Sequence, residues 1–125
     1  MADYDVFNGD ADGICALVQL RQVEPRSATL VTGVKRDIQL LQKIDPQAGD
    51  RLTVLDISMA KNKEALEVAL DRGATVFYVD HHAPGDVPVS SLLISLINEA
   101  PNVSTSLLIN QYLRSARLRW AAVGT

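Results

Sequence analysis

Residues 52–57 (LTVLDI) and 74–79 (ATVFYV) decide the fold class, because each is a short and nearly continuous apolar run. Runs of this kind are typical of strands that are buried on both faces of a parallel sheet. Residues 62–72 carry leucines at i, i+4 spacing and are followed by Gly73, which predicts a helix with a glycine directly after its last residue. A strand, a helix and a second strand in this order indicate a βαβ unit.

Further segments extend the same alternation in both directions. The expected elements are strands over 5–7, 28–32 and 92–97 and helices over 14–23, 38–44 and 103–113. In the first helix we expect an apolar face formed by Ile14, Leu17, Val18 and Leu20. The alternation predicts a three-layer α/β domain with a mainly parallel sheet and helices on both faces.

Length and charge restrict the class of protein. The chain has 125 residues, of which 47% are hydrophobic and 22% charged, so we expect one globular domain over residues 1–125. The net charge of −3 disfavours binding to nucleic acid through charge alone, and we expect no sequence-specific duplex DNA partner. The longest apolar stretch, residues 92–97, is far short of the roughly 20 residues that cross a bilayer. The acidic start lacks the apolar segment of a signal peptide. The composition therefore predicts a cytoplasmic protein with no membrane partner.

The single cysteine, Cys15, excludes a disulfide within the chain. It falls in the first predicted helix, where we expect it to be a small buried residue.

Acidic residues and histidines follow three of the predicted strands. The first strand runs into residues 8–13 (NGDADG), the third carries Asp56, and the fourth runs into residues 80–82 (DHH). Ligand sites of parallel α/β sheets form at the carboxyl ends of the strands, so these side chains are expected to meet. The predicted cluster consists of Asp10, Asp12, Asp56, Asp80, His81 and His82.

Crowded carboxylates at one edge require nearby positive charge. Two of them ~4 Å apart repel by about 4 kcal/mol at an effective dielectric constant of about 20. The nearest cationic side chains, Lys35 and Arg36, are too few to compensate four aspartates. Carboxylate and imidazole ligands together suit Mn²⁺, Fe²⁺ or Zn²⁺ better than Ca²⁺. Four aspartates match two divalent ions, and a central Asp56 could bridge them at the ~3.5–4 Å separation used in phosphate ester hydrolysis.

Three motifs in this order resemble those of the DHH phosphoesterase family. They are residues 8–13 (NGDADG), 54–58 (VLDIS) and 80–82 (DHH). The resemblance implies a Rossmann-like DHH domain that binds two divalent cations and hydrolyses phosphoesters with an activated water. Mn²⁺ is the expected cation, with Mg²⁺ or Co²⁺ as alternatives. The implied substrate is a phosphorylated small molecule such as a nucleotide, or a short oligonucleotide, and a homodimer is a further expectation.

The resemblance also implies a role for each residue of the cluster. The metal ligands are Asp10 for the first cation, Asp12 and His81 for the second, and Asp56 as the bridge between them. The two catalytic residues are His82, which faces the substrate phosphate, and Asp80, which orients this loop.

The chain departs from the family pattern at two places. Asn8 and Val6 stand where members usually have His or Asp, so Asn8 is a neutral candidate ligand and the first cation is expected to bind weakly. Residues 120–125 (WAAVGT) resemble the approach to a fourth motif that carries a further metal-binding Asp. We therefore expect an N-terminal fragment that lacks the fourth motif and the C-terminal substrate-binding domain, with slow or absent hydrolysis.

Other interpretations of these residues stay open. In one of them, Asp10 and Asp12 have no role in metal binding and serve only as turn and cap residues of the following helix. The NGDADG stretch also fits the opening of an EF-hand loop, although Gln19 stands at the closing Glu position. A haloacid-dehalogenase-type phosphatase would use Asp10 as nucleophile but leaves His81 and His82 unexplained. The main alternative function is a non-catalytic domain that binds metal or nucleotide.

Three further groups of polar residues are weaker candidates. Lys35 and Arg36 are either phosphate-binding residues or solvated loop charges. Residues 104–106 (STS) either cap a helix, which is the favoured interpretation, or belong to a helix N-terminus that faces a phosphate. A basic cluster interpreted as a solvated helix face consists of Arg114, Arg117 and Arg119.

Overall fold

Five parallel strands form one sheet in the computed structural model, which describes residues 2–33 and 39–123, with side chains as far as residue 114. The strands are β1 (Asp3–Asn8), β2 (Thr29–Gly33), β3 (Arg51–Leu55), β4 (Thr75–Asp80) and β5 (Leu93–Ile97). Their spatial order is β2-β1-β3-β4-β5, and each neighbouring pair is parallel. The chain leaves β1 toward β2 on one side and then crosses to β3 on the other. The gap between β1 and β3 is therefore the switch point at which ligands of such sheets bind.

Helices cover both faces of this sheet. They are α1 (Ala11–Val23), α2 (Lys63–Asp71) and α3 (Thr105–Val123), with 3₁₀ helices over Leu40–Lys43 and Ala60–Asn62. The three-layer α/β fold with a parallel sheet is thus confirmed, while the helix expected over 38–44 is a shorter 3₁₀ turn. Across the described part of the chain, no helix combines the length and apolar character that crossing a membrane requires.

Alternating residues of the central strands fill two apolar cores, one on each face. Val6, Val54 and Tyr78 belong to the core under α2, whereas Leu55 and Val79 belong to the core under α1 and α3. This alternation is the two-residue period of a strand. The contribution of α3 to the second core comes from Leu108, Ile109 and Leu113.

The strand register places three carboxyl ends at one height. Leu55 pairs with Phe7 on one side and with Val79 on the other. Asp56, the residue after β3, donates its backbone N–H to the carbonyl of Val79 at 3.0 Å. Side chains that follow β1, β3 and β4 therefore meet at the same edge.

The buried face of α1 differs from the predicted one, because Ile14 and Val18 are 45% and 49% exposed. A Cβ on Gly13 would lie 2.1 Å from the backbone oxygen of Asn8, so only glycine lets the helix start this close to β1. This contact turns Ile14, Val18 and also Cys15 outward, and the prediction of a buried Cys15 is wrong. The residues of α1 that do face the sheet are Gly13, Ala16, Leu17 and Leu20.

Candidate metal centre

The six residues of the predicted cluster come together at the carboxyl ends of β1, β3 and β4. His81 Nε2 lies 3.1 Å from Asp56 Oδ1 and 3.6 Å from Asp12 Oδ2. Donor atoms of Asp56, Asp80, His81 and His82 lie within 4.8 Å of one another. Carboxylates and imidazoles from three separate stretches of sequence thus share one site.

The loop between β1 and α1 is shaped by close backbone contacts. A Cβ on Gly9 would lie 2.5 Å from the carbonyl oxygen of Gly33 in β2. Asp10 is the N-cap of α1, since its Oδ1 accepts the N–H of Gly13 at 2.9 Å. The capping interpretation therefore holds for Asp10, yet its carboxyl group also lies near enough to Asp56 to influence the pKa of that residue.

Asp56 has a backbone conformation that few side chains adopt. Its φ of 63° is in the left-handed region, which aspartate and asparagine tolerate better than most residues. The turn is supported by the hydroxyl of Tyr78, which donates to the carbonyl of Ile57 at 2.6 Å in the protein interior. Strained backbone of this kind is common where a side chain has a functional position. Here the turn directs the Asp56 carboxyl group into the site, where the residue is 2% exposed.

Electrostatic crowding is most evident at Asp56. Burial raises the pKa of its carboxyl group to about 8, and the charge of Asp12 and the nearby Asp10 add to this effect. A hydrogen bond from Thr105 acts in the opposite direction. Among the described residues, the basic side chains in contact with Asp12, Asp56 and Asp80 are histidines rather than lysine or arginine.

Asp12 is bound by the N-terminus of α3. Its carboxylate accepts the backbone N–H of Thr105 at 3.1 Å and that of Ser106 at 2.8 Å. Although burial acts in the opposite direction, these hydrogen bonds together with the Ser106 hydroxyl and His81 lower the pKa of Asp12. Ser104 Oγ accepts the N–H of Leu107 at 3.2 Å, which is the capping contact predicted for this segment. The first N–H groups of α3 therefore face a carboxylate of the site rather than a phosphate.

Asp80 and His82 form a second pair at the end of β4. His82 Nδ1 lies 2.7 Å from Asp80 Oδ1, and the His81 and His82 rings are 4.4 Å apart between centroids. Asp80 is fully buried, whereas the side chain of His82 is 46% exposed. Burial raises the pKa of Asp80 against the attraction of His82. Among the described residues, Asp80 Oδ2 is the buried side-chain oxygen that has no hydrogen-bond partner.

This set of donors fits a divalent cation. The buried Asp80 Oδ2 lacks a partner, and Asp12, Asp56 and Asp80 lie together with little compensation by positive side chains. Oxygen and imidazole donors in one group are the ligands of Mn²⁺, Fe²⁺ and Zn²⁺ sites. A cation beside these groups would supply the missing positive charge.

Other predicted residues lie outside the described part of the chain or have no described contact with this cluster. Lys35 and Arg36 lie outside the described residues. Asn8 ends β1 opposite Gly33, and its role as a ligand stays a prediction. Arg114 is exposed on α3, while the side chains of Arg117 and Arg119 lie outside the described part.

One contact at the site was not predicted at all. Thr105 Oγ1 donates a hydrogen bond to Asp56 Oδ1 at 3.1 Å, and Thr105 is completely buried. The related sequence feature is the group of hydroxyl residues at the start of a predicted helix. This feature does not indicate a hydrogen bond with Asp56, which lies 49 positions earlier in the chain.

A family model described as the N-terminal domain of the DHH family matches residues 4–122. The match includes all three motifs at 8–13, 54–58 and 80–82. The chain belongs to the DHH family. DHH-family proteins are generally metal-dependent phosphoesterases, and the group formed by Asp56, Asp80, His81 and His82 could hold a metal ion. A search of curated proteins finds no significant match.

Proposed function

We propose that the chain is the catalytic domain of a metal-dependent phosphoesterase that hydrolyses a nucleotide or a short oligonucleotide. The reaction uses two divalent cations, preferably Mn²⁺. The observation that carries the proposal is the contact of His81 Nε2 with both Asp56 and Asp12, beside the unpartnered buried oxygen of Asp80.

Each ligand has a place in this proposal. Asp56 contacts His81, and the carboxyl groups of Asp12 and Asp10 both lie near enough to act on its carboxyl group, which suits a carboxylate shared by two cations. Asp12 and His81 hold the second cation, and Asp10 holds the first with Asn8 as a neutral supplementary ligand. Two bound cations would supply the positive charge that activates water and stabilises the growing charge on the phosphoryl oxygens.

His82 is proposed to contact the substrate phosphate. Its Nδ1 is engaged by Asp80, so the opposite ring nitrogen, Nε2, is the atom left for a ligand. The half-exposed side chain is accessible from solvent, whereas Asp80 is buried behind it. Asp80 therefore fixes the orientation of the His82 ring.

The alternative is a domain that binds metal or nucleotide without turnover. Its support is the neutral Asn8 and the use of Asp10 Oδ1 as a helix cap, both of which weaken the first cation site. A one-cation site would bind a phosphate but would not supply both positive charges that in-line hydrolysis uses.

The test is a screen of the full chain with Mn²⁺ against bis(p-nitrophenyl) phosphate, short oligonucleotides, nucleotides and pyrophosphate. We expect turnover that EDTA abolishes and that Asp56→Asn lowers by about 100-fold or more. Asp71→Asn, an exposed aspartate in α2, is the matched control and should retain full activity. Turnover that is insensitive to both EDTA and Asp56→Asn contradicts the proposal. Mn²⁺ binding without turnover of any of these substrates supports the non-catalytic alternative.

A further inference from the structure

Thr105 connects helix α3 to two carboxylates of the candidate metal centre. Its side-chain hydroxyl donates to Asp56 Oδ1 at 3.1 Å, and its backbone N–H donates to Asp12 Oδ2 at 3.1 Å. The two aspartates follow different strands, yet one completely buried residue contacts both.

We propose that Thr105 is a positioning residue that fixes the orientation of the Asp56 and Asp12 carboxylates for cation binding. This inference rests on the proposed function, because it concerns the same cation site. It adds a residue outside the three motifs and assigns it an effect on metal affinity.

The physical reason is the loss of side-chain freedom. A carboxylate that accepts a directed hydrogen bond on one oxygen is restrained about its terminal torsion, and its remaining lone pairs then point in fixed directions. Asp12 accepts hydrogen bonds on both oxygens, from Thr105 and Ser106. Asp56 receives its hydrogen bond from the Thr105 hydroxyl. Ligands that are oriented in advance lose less entropy when a cation binds.

Packing of α3 makes this restraint rigid. The first turn of α3 is closed by Ser104, whose carbonyl accepts the N–H of Leu108 at 3.1 Å. Leu108 and Ile109 are buried against the core that includes α1 residues Leu17 and Leu20. The packing of these residues therefore fixes the position of the Thr105 backbone relative to the two carboxylates.

The test compares three variants of the full chain by isothermal titration with Mn²⁺. Thr105→Val keeps the shape and the backbone N–H but removes the hydroxyl, and we expect Mn²⁺ affinity to fall about 10–100-fold. Thr105→Ser keeps the hydroxyl and should remain within a few-fold of the original affinity. Leu70→Ala is the structural control, because it removes core packing from α2, on the opposite face of the sheet from α3, without touching a carboxylate. It should lower the melting temperature at least as much as Thr105→Val while retaining Mn²⁺ affinity.

A folded Thr105→Val protein that binds Mn²⁺ as tightly as the original chain overturns the inference. So does a Leu70→Ala protein that loses as much affinity as Thr105→Val, since the effect would then be general destabilisation. If Thr105→Val does not fold, Thr105→Ala takes its place with the same expected loss. A chain that binds no Mn²⁺ before any substitution contradicts the proposed function itself, whereas unchanged binding in Thr105→Val contradicts this inference alone.

Discussion

Nε2 of His81 lies 3.1 Å from Oδ1 of Asp56, although the two residues follow different strands of the sheet. The register of β3 against β4 produces this contact, because Leu55 and Val79 are paired and the next residues of both strands reach the same edge. Asp56 then bends back through its left-handed conformation and presents its carboxyl group toward the imidazole. The fold itself therefore concentrates negative charge at one place.

Asp56→Asn should stabilise the protein when cations are removed. Asparagine tolerates the left-handed backbone but carries no charge, so the repulsion from Asp12 and Asp10 disappears. We expect the free energy of unfolding in EDTA at pH 8 to rise by about 1–2 kcal/mol, measured by urea denaturation. Added Mn²⁺ should reverse the order, because only the original chain gains stability from binding. Asp71→Asn is the control and should leave the free energy of unfolding unchanged. An Asp56→Asn protein that is less stable than the original chain in EDTA would contradict the proposed repulsion among the carboxylates.

Gly13→Ala should damage both the fold and the site. The added methyl group would meet the backbone of Asn8 at 2.1 Å, and a backbone atom cannot move away as a flexible side chain does. The expected loss is about 1–3 kcal/mol of unfolding free energy, as for an overpacked core position. Mn²⁺ affinity should fall as well, because Asp10 and Asp12 lie in the displaced turn. Cys15→Ala, a change at an exposed position in the same turn of α1, should leave the unfolding free energy nearly unchanged. Equal melting temperatures for the two variants would show that the backbone of Asn8 leaves room for a side chain at position 13.

The opposite end of the sheet depends on an ion pair that serves stability rather than chemistry. Asp5 is 1% exposed and is bound by Arg21 through two hydrogen bonds of 2.7 and 2.8 Å. Arg21→Leu leaves this carboxylate buried without its partner, which should cost about 3–5 kcal/mol in urea denaturation. Arg51→Leu breaks the more exposed pair with Asp3 and should cost no more than about 1 kcal/mol. Similar losses of unfolding free energy for both variants would contradict the expectation that the buried pair contributes more than the exposed one. The Mn²⁺ affinity of both folded variants should be unchanged.

Asp50 should make the protein sensitive to acid. The backbone N–H groups of Gln47 and Ala2 each donate to its carboxylate at 2.8 Å and lower its pKa below the ordinary value of 3.8. A lowered pKa contributes stability that is complete above the pKa of the unfolded chain and is lost as the pH falls through the folded value. The stability advantage of the original chain over Asp50→Asn should therefore be constant from pH 7 to about 5 and shrink below about pH 4. Thermal melts across this range measure it, and an advantage that stays the same at pH 3 would rule out the assigned hydrogen bonds.

Much of the fold could be predicted because its strands are short apolar runs that leave little ambiguity. Residues 52–57 and 74–79 contain all but one residue of β3 and of β4, and Gly73 has the positive φ of 93° expected after a helix. The face of α1 was predicted wrongly, because periodicity alone does not record that Gly13 must contact β1. Periodicity favoured Ile14 and Val18, whereas the backbone contact decides which side of the helix is buried.

The candidate site could be predicted as a set of residues but not as an arrangement. The predicted ends of the strands place Asp56, Asp80 and His81 at one edge of the sheet, and these residues lie together in the structure. The binding of Asp12 by the N-terminus of α3 could not be inferred, because it depends on how α3 packs across α1. The hydroxyl of Thr105 is part of the same arrangement, and only three-dimensional packing brings it to Asp56.

We expect the carboxylate and histidine cluster to hold two divalent cations. A crystal structure of the chain grown with Mn²⁺, with anomalous data collected at the manganese absorption edge, would locate them. We expect two anomalous peaks on either side of the Asp56 carboxylate, one of them also in contact with Asp12 and His81. Anomalous maps with no peak at Asp56, from crystals in which manganese is bound elsewhere on the chain, would contradict this expectation.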